Sequence, residues 1–531
     1  MKPTVKFMFM LGPVAAALLW LVLARSFGLW PLGPGEPSPT LGGADTRLQL
    51  HLFIGAPPGT SLPLPADDFV RQTIEAKFNV ELRITAMPAG ADYELKLASL
   101  LASNDPPDMW LSYERDGGAS YALNNALADM TLFVSPAAMP DYFRYWMTET
   151  ELRQYQFHNK FVRAPLPYDK KSYRTYYIRK DWLDRLGLAV PSNYDDYVNV
   201  LRAFTFGDPD GNGRNDTYGF TAAGAGESIT TDWPEYVKNG LLYPDYYADG
   251  QLVDMQMDAR VGKVVDDILK ITQEGLADPD WFLNRNADAL EKAVQGKVGV
   301  ILGDTADFAA DANPDSLQSR SRAIDPNANW MPFNPFGDNP LRAAVGPGYP
   351  FVFSNEVSGR NPEKLKRIAA ILDWLCGPEG YLLSHYGIEG KHYSRDGDTV
   401  TLMPEAIAHD IGQKGNFLAI WSFFTPNDPG PLGVKVVDPR QTERDRTIGR
   451  ILASIPVYES VGTTLTPPFG INAETMRARQ NELQVKMMFG DKSGANWPVY
   501  RKQILEMYNG SLIFKQYENE IRSAKGLPAL P

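Results

Sequence analysis

The period of the hydrophobic pattern changes repeatedly along this chain, and each change marks an element. RLQLHLFI (Arg47–Ile54) alternates apolar and polar residues, the two-residue period of a half-buried strand. DDFVRQTIEAKF (Asp67–Phe78) instead brings Phe69, Ile74 and Phe78 near one helical face, behind two acidic residues that suit the positive end of a helix. NVELRIT (Asn79–Thr85) predicts a second strand, Tyr93–Ser103 a leucine-rich helix, and SNDPPDMWLSY a loop running into a third strand. This βαβαβ rhythm predicts an α/β protein with a mainly parallel sheet. Further on, SYRTYYIR (Ser172–Arg179) reads as a strand and KDWLDRLGL as a short amphipathic helix closed by Gly187. Pro191 and Ser192 open the next helix, with Ser192 as cap and Tyr194, Tyr197, Val198 and Leu201 along it. GKVGVILGD (Gly296–Asp304) predicts a buried strand, and NPEKLKRIAAILDWL (Asn361–Leu375) a helix with Leu365, Ile368, Ile371, Leu372 and Leu375 on its apolar side.

Two places along this pattern carry candidate chemistry. Parallel α/β sheets bind ligands beyond the carboxyl ends of their strands. Trp110, Tyr113 and Glu114 end the third strand and are therefore cleft candidates, with a core role as the alternative for Trp110. The second place is DPDGNGRNDTYG (residues 208–219), where oxygen-bearing side chains recur at alternate positions. Asp208, Asp210, Asn212 and Asp216 occupy places 1, 3, 5 and 9 of a calcium loop, Gly213 allows its sharp turn, and Arg214 offers its backbone carbonyl. A bidentate Glu normally closes such a loop, but Gly219 stands there. The reading is a structural calcium ion, and the alternative is a metal-free Asp/Asn/Gly-rich turn.

The amino terminus sets the compartment. Lys2 and Lys6 precede Phe7–Ala24, eighteen residues without a charge, and Arg25 follows. That run is marginally long enough to span a membrane, and its positive flank stays cytoplasmic, so the remaining chain is expected outside, either tethered or released by cleavage. Ser26–Pro39 reads as a Pro/Gly-rich linker. The single cysteine, Cys376, lies in an apolar run, so no disulfide forms within the chain and no amino-terminal cysteine carries a lipid. A net charge of −12 without a basic run makes nucleic acid an unsuitable partner. The five histidines are scattered, and there is no phosphate-binding glycine loop and no GxSxG nucleophile turn. Aromatic residues make up 11% of the chain, and in an exported acidic protein that abundance suits a sugar ligand, whose C–H faces stack on flat rings.

The order of LKLASLLASNDPPDMW, YYIRKDWLDRLGL, TFGDPDGNGRNDTYGF, NPEKLKRIAAILDWLCGPEGYLLSHYGIEGKHY and WPVYRKQILEMYNGSLIFKQYENEI resembles the family 1 extracellular solute-binding proteins of ABC importers. The similarity is to the long lipoprotein-type sugar binders and the alginate-oligosaccharide binders. It implies an α/β fold of the two-lobed periplasmic-binding-protein type II, with lobes that close like a hinge. The implied crossings lie near residues 163–173, 340–350 and 395–400. An anchor and linker (1–46) would then precede one lobe of 47–165 plus 346–398 and another of 166–345 plus 399–531. The family's calcium loop falls on Asp208, Asp210, Asn212, Arg214 and Asp216; Thr217 stands where relatives often have an acidic residue. Candidate ligand contacts are Trp110, Tyr113, Glu114, Trp233, Trp330, Arg342, Tyr349 and Trp421. Each tryptophan has a core alternative, and Arg342 has a solvated surface alternative.

The function so implied is capture of an oligosaccharide by a monomeric, non-catalytic protein that delivers it to ABC permease subunits in the membrane. One rival is a tethered glycosidase, for which Glu114, Asp232 and Glu235 are available carboxylates. Another is a ligand-sensing subunit of a membrane signalling complex.

Overall fold

The computed structural model of the chain describes residues 46–530 apart from residues 104, 114–117, 154, 157–159, 172, 345–348, 459–465 and 469. The apolar segment and linker expected before residue 46 lie outside the described residues, and so does Glu114.

The expected βαβαβ start is present. Leu48–Gly55 (β1), Val80–Met87 (β2) and Met109–Leu111 (β3) alternate with helices Phe69–Phe78 and Ala91–Leu101. Asp68 caps the first helix, its carboxylate accepting from the Arg71 N–H at 3.0 Å. Ala164–Pro165 (β4) ends this portion of the chain. The next portion holds Thr175–Arg179 (β5), Tyr218–Phe220 (β6), the hairpin Tyr246–Ala248 (β7) and Gln251–Val253 (β8), Val298–Gly303 (β9) and Trp330–Phe333 (β10). Pro350–Phe353 (β11) returns to the first sheet, and Tyr393–Asp396 (β12), Thr399–Leu402 (β13) and Lys435–Val437 (β14) form a small sheet of their own.

The first large sheet has the order β2-β1-β3-β11-β4, and the second β10-β5-β9-β6. β1 pairs parallel with β2 and β3, as the rhythm predicts, but β11 runs antiparallel between β3 and β4. In the second sheet only β6 and β9 are parallel. The antiparallel strands are the ones through which the chain leaves or re-enters a sheet, so the local βαβ pattern could not announce them.

β1 departs from the half-buried reading in an informative way. Leu50, Leu52 and Ile54 join one core, Phe53 joins another on the opposite face, and His51, on the Phe53 side of the strand, is buried as well. Helices and loops cover both faces, the usual state of a parallel sheet. His51 is accommodated by pairing Nε2 with Thr85 Oγ1 at 3.0 Å, and burial depresses its basicity to about 4. Helix Pro362–Cys376 packs its leucine and isoleucine face against the first of these cores, and Cys376 is buried there, as its apolar run predicts.

Residues Leu48–Pro531 form one compact unit, within which the chain passes between the two large sheets. It does so from Pro165 to Thr175 and from Phe333 to Pro350. The third passage is not near 395–400. Val400, Phe417, Trp421, Phe424 and Val434 all pack in the first core, and β14 pairs with β13. Only after Val437 does the chain reach the second half. There Thr442 caps helix Glu443–Ser454, and Arg444 donates to the Ala309 carbonyl at 2.7 Å. The apolar run around Phe417–Phe424 drives this difference, since it completes the first core.

Candidate functional site

The crossings fix which ends of the sheets face each other. β4 leaves the first sheet beside the end of β3, and β11 re-enters there, with Phe351 opposite both Leu111 and Ala164. In the second sheet β5 begins opposite Gly303, the end of β9, while β10 ends opposite Tyr176. The segments joining these edges therefore line the region where the two halves meet.

On the first edge three tyrosines form a cluster. Tyr113, just past β3, packs edge-to-face against Tyr93 at 5.0 Å and against Tyr349 at 5.1 Å. Its hydroxyl lies so close to the Gly55 backbone that a Cβ on Gly55 would stand 1.9 Å from it. Burial pushes the Tyr113 phenol up to about 12, so it stays a neutral hydrogen-bonding group at ordinary pH. Tyr349, immediately before β11, is 50% exposed and offers a ring face to solvent.

The second edge is cationic. Arg174, the residue before β5, lies over the Tyr243 ring at 4.4 Å, donates to the Thr231 carbonyl at 3.1 Å and reaches Asp232 at 3.4 Å. Arg342 lies in the second crossing, where its backbone bridges to Tyr243 and its carbonyl accepts from Tyr458 N–H at 2.9 Å. It is only 3% exposed, yet its Nη2 has no hydrogen-bond partner. Burial first, and then the charge of Arg174, lower its pKa to about 10, against the opposing pull of Asp169. Asp169 itself accepts from Tyr173 Oη at 2.9 Å. Beside this crossing a groove of about 830 Å3 is walled by Tyr194, Tyr246, Phe336 and Tyr458, with Lys238 and Arg260 at its margin.

Residues 70–380, more than half of the chain, match the family model for bacterial extracellular solute-binding proteins. The chain belongs to that family. Among its relatives, the polygalacturonan/rhamnogalacturonan-binding protein YtcQ of Bacillus subtilis is 25% identical over 492 residues, covering 87% of this chain and 89% of the relative. Lipoprotein LipO of the same organism is 31% identical over 236 residues, covering 41% and 44% of the two chains. An HMO-binding, ABC-transporter-associated solute-binding protein from Bifidobacterium longum infantis has a similar fold. Its TM-score is 0.68 at 16% identity, covering 91% of this chain and all of that one.

The structure of this solute-binding protein redistributes the residues expected to touch ligand. Tyr113, Tyr349 and Arg342 lie at the facing edges, with Arg342 buried rather than solvated. The four tryptophans are buried. Trp110 packs with Phe53 and Leu97 behind β3 and meets Tyr121 edge-to-face at 5.7 Å. Trp233 sits in the second core against Trp281 at 5.0 Å. Trp330 is a β10 residue whose Nε1 donates to Ser321 Oγ at 3.0 Å. Trp421 fills the first core and donates to Asp68 at 2.9 Å. In each case the large ring supplies core area that short elements otherwise lack. Sequence reasoning passed over Arg174, Asp169 and Tyr243. The available signal was a charged residue at the exact start of a strand that follows a crossing.

The loop from Asp208 to Asp216 adopts the tight curl its pattern predicts. Asp208 has a φ of 49°, its Oδ2 accepts from Gly213 N–H at 3.1 Å, and Asn212 Oδ1 accepts from Arg214 N–H at 2.7 Å. Asn212 Nδ2 donates to both Asp210 at 2.7 Å and Asp216 at 3.1 Å, drawing the acidic side chains together. Asp210 is raised, by burial first and then through its acidic neighbours, whereas the Lys297 ammonium holds Asp216 low. Among the described residues no group of three or more His, Cys, Asp or Glu stands ready-made for a metal ion. Asp208 Oδ1 is nevertheless buried without a partner, a vacancy in hydrogen bonding that suits a cation at that oxygen. The cap of helix Tyr194–Phe206 is Asn193, accepting from Asp196 N–H at 2.9 Å, one residue beyond the expected Ser192.

Proposed function

We propose that this protein captures an oligosaccharide outside the cell, between its two α/β halves, and delivers it to the membrane subunits of an ABC importer. The carrying observation is the position of two groups beside the segments by which the chain crosses between sheets: Tyr113 and the half-exposed Tyr349 next to the first sheet, and Arg174, Asp232, Tyr243 and Arg342 next to the second. Aromatic faces beside fixed donors and acceptors suit a pyranose, which presents C–H faces and hydroxyls together. The names of the relatives support the same class, since YtcQ is a polygalacturonan/rhamnogalacturonan-binding protein and the Bifidobacterium protein is an HMO-binding, ABC-transporter-associated one.

The reading is non-catalytic. A glycosidase needs two carboxyl groups facing one bond, about 5–5.5 Å or 6.5–9.5 Å apart. Glu235 is buried, with Tyr194 Oη donating to it at 2.7 Å, and burial pushes its acidity to about 7. Asp232 is held by Arg174. These contacts disfavour a cooperating pair.

Calcium belongs to the same proposal as a brace. The carboxylates of Asp208, Asp210 and Asp216, the Asn212 side chain and the Arg214 carbonyl would hold it, supplying positive charge between clustered acids remote from the ligand. The apolar segment Phe7–Ala24 would tether the protein to the outer face of the membrane.

The test is incubation of the purified chain with a library of neutral and acidic oligosaccharides. At least one class should raise the melting temperature, and chromatography should recover it intact. Release of shorter sugars would replace the binding reading with the enzymatic one. A library-wide lack of binding would remove the carbohydrate.

A further inference from the structure

A guanidinium withdrawn from water normally takes a carboxylate with it, because the loss of hydration is offset only by an opposite charge and a full set of hydrogen bonds. Arg342 breaks that rule. It is 3% exposed, Nη2 is buried without a partner, and no described carboxylate lies within ion-pair distance of it. The acids nearby are already engaged. Asp169 accepts from Tyr173 Oη and from the Lys171 N–H at 2.8 Å, and Asp232 faces Arg174. Arg174 adds a second positive charge to the same region instead of compensating the first. The one acidic residue that acts on Arg342 from the first crossing does so at a distance.

The backbone around Arg342 is firmly placed. Leu341 packs in the second core and Ala343 in a smaller cluster with Tyr246 and Leu242. Ala343 N–H donates to the Tyr243 carbonyl at 2.9 Å, and Ala344 N–H to the Tyr458 carbonyl at 2.8 Å. The side chain is therefore presented from a fixed strand-like segment. Beside it Tyr243 keeps 43% of its surface exposed under the Arg174 guanidinium. The result is a buried positive charge, next to a partly exposed aromatic ring, that no described carboxylate balances.

We propose that Arg342 receives the carboxylate of a sugar acid, so that the ligand of this cleft is a hexuronate-containing oligosaccharide. The inference rests on the oligosaccharide reading above and narrows it. A planar, two-oxygen carboxylate matches the planar fork of the guanidinium, so one residue can both neutralise the charge and orient the sugar. Neutral hydroxyls would fill the hydrogen bonds and leave the charge unbalanced. Arg174, tied to Asp232 and to the Tyr243 ring, positions the neighbouring sugar face and contributes positive potential. The net charge of −12 over the whole chain does not oppose this, because fields from distant surface charges are screened within about 8 Å at physiological salt.

The experiment is calorimetric titration of the full chain in detergent with tri- to hexamers of galacturonate, mannuronate and glucuronate. The fully methyl-esterified galacturonate series and neutral gluco-, galacto- and manno-oligosaccharides serve as comparisons. At least one acid series should bind about 10-fold or more tightly than its ester or neutral counterpart. Arg342→Gln should abolish that preference, and Arg342→Lys should restore part of it. Equal or tighter binding of neutral sugars, or an acid preference that survives Arg342→Gln, overturns the inference and leaves the oligosaccharide reading standing. Absence of binding by every sugar overturns both. If Arg342→Gln does not fold, the acid-against-ester comparison on the unaltered chain and on Arg342→Lys decides.

Discussion

Tyr349 and Trp330 show how differently two aromatic residues near one crossing are used. Trp330 belongs to β10 and is fully buried, with Nε1 satisfied by Ser321. Tyr349 follows a glycine- and proline-rich sequence and keeps half of its surface open. A sequence reports both as aromatic residues in irregular surroundings; only the packing separates a core ring from an exposed one. By analogy with bases stacked on aromatic side chains, an exposed platform contributes about 1–3 kcal/mol. Tyr349→Ala should therefore weaken oligosaccharide affinity about 5- to 100-fold in a titration, with little change in melting temperature. Unaltered affinity would take Tyr349 out of the site. Gly55 carries a stricter requirement, because the Tyr113 hydroxyl occupies the space any side chain there would need.

At the scale of elements, the amphipathic helices and the parallel strands were legible because their periods are local. Phe69–Phe78, Ala91–Leu101 and Pro362–Cys376 fall within a few residues of their sequence bounds. β11 and β14 were not, since their pairing is decided by partners far along the chain. The acidic loop after helix Tyr194–Phe206 was legible in shape but not in occupancy. It connects that helix to β6, and Thr217 fastens it by donating from Oγ1 to the Phe204 carbonyl at 2.7 Å. Burial, and then Asp216 and Asp208, make ionisation of Asp210 costlier, and a bound cation would offset that cost. Exhaustive chelation should lower the melting temperature and calcium should restore it, while magnesium, which demands smaller and more rigid octahedral coordination, should restore less. A transition indifferent to chelator, with no metal found by elemental analysis, would leave the loop as a hydrogen-bonded turn.

At the scale of the whole molecule, two sheets with separate cores and three passages between them explain why the chain matches solute-binding proteins over most of its length at low identity. Binding of a cognate oligosaccharide should draw the halves together, and small-angle scattering should record a smaller radius of gyration with ligand than without it. An unchanged radius on saturation would mean that the ligand enters a preformed gap.

The third passage, after Val437, adds a mechanical consequence. Two rigid bodies pinned at a single point swivel freely, and pinned at two points they rotate about the line through both. A third connection limits such rotation to what small backbone adjustments in all three passages allow. If the halves close on a ligand as proposed, a joint of this kind would resist shear and twist and bring the tyrosine and arginine residues together in one register.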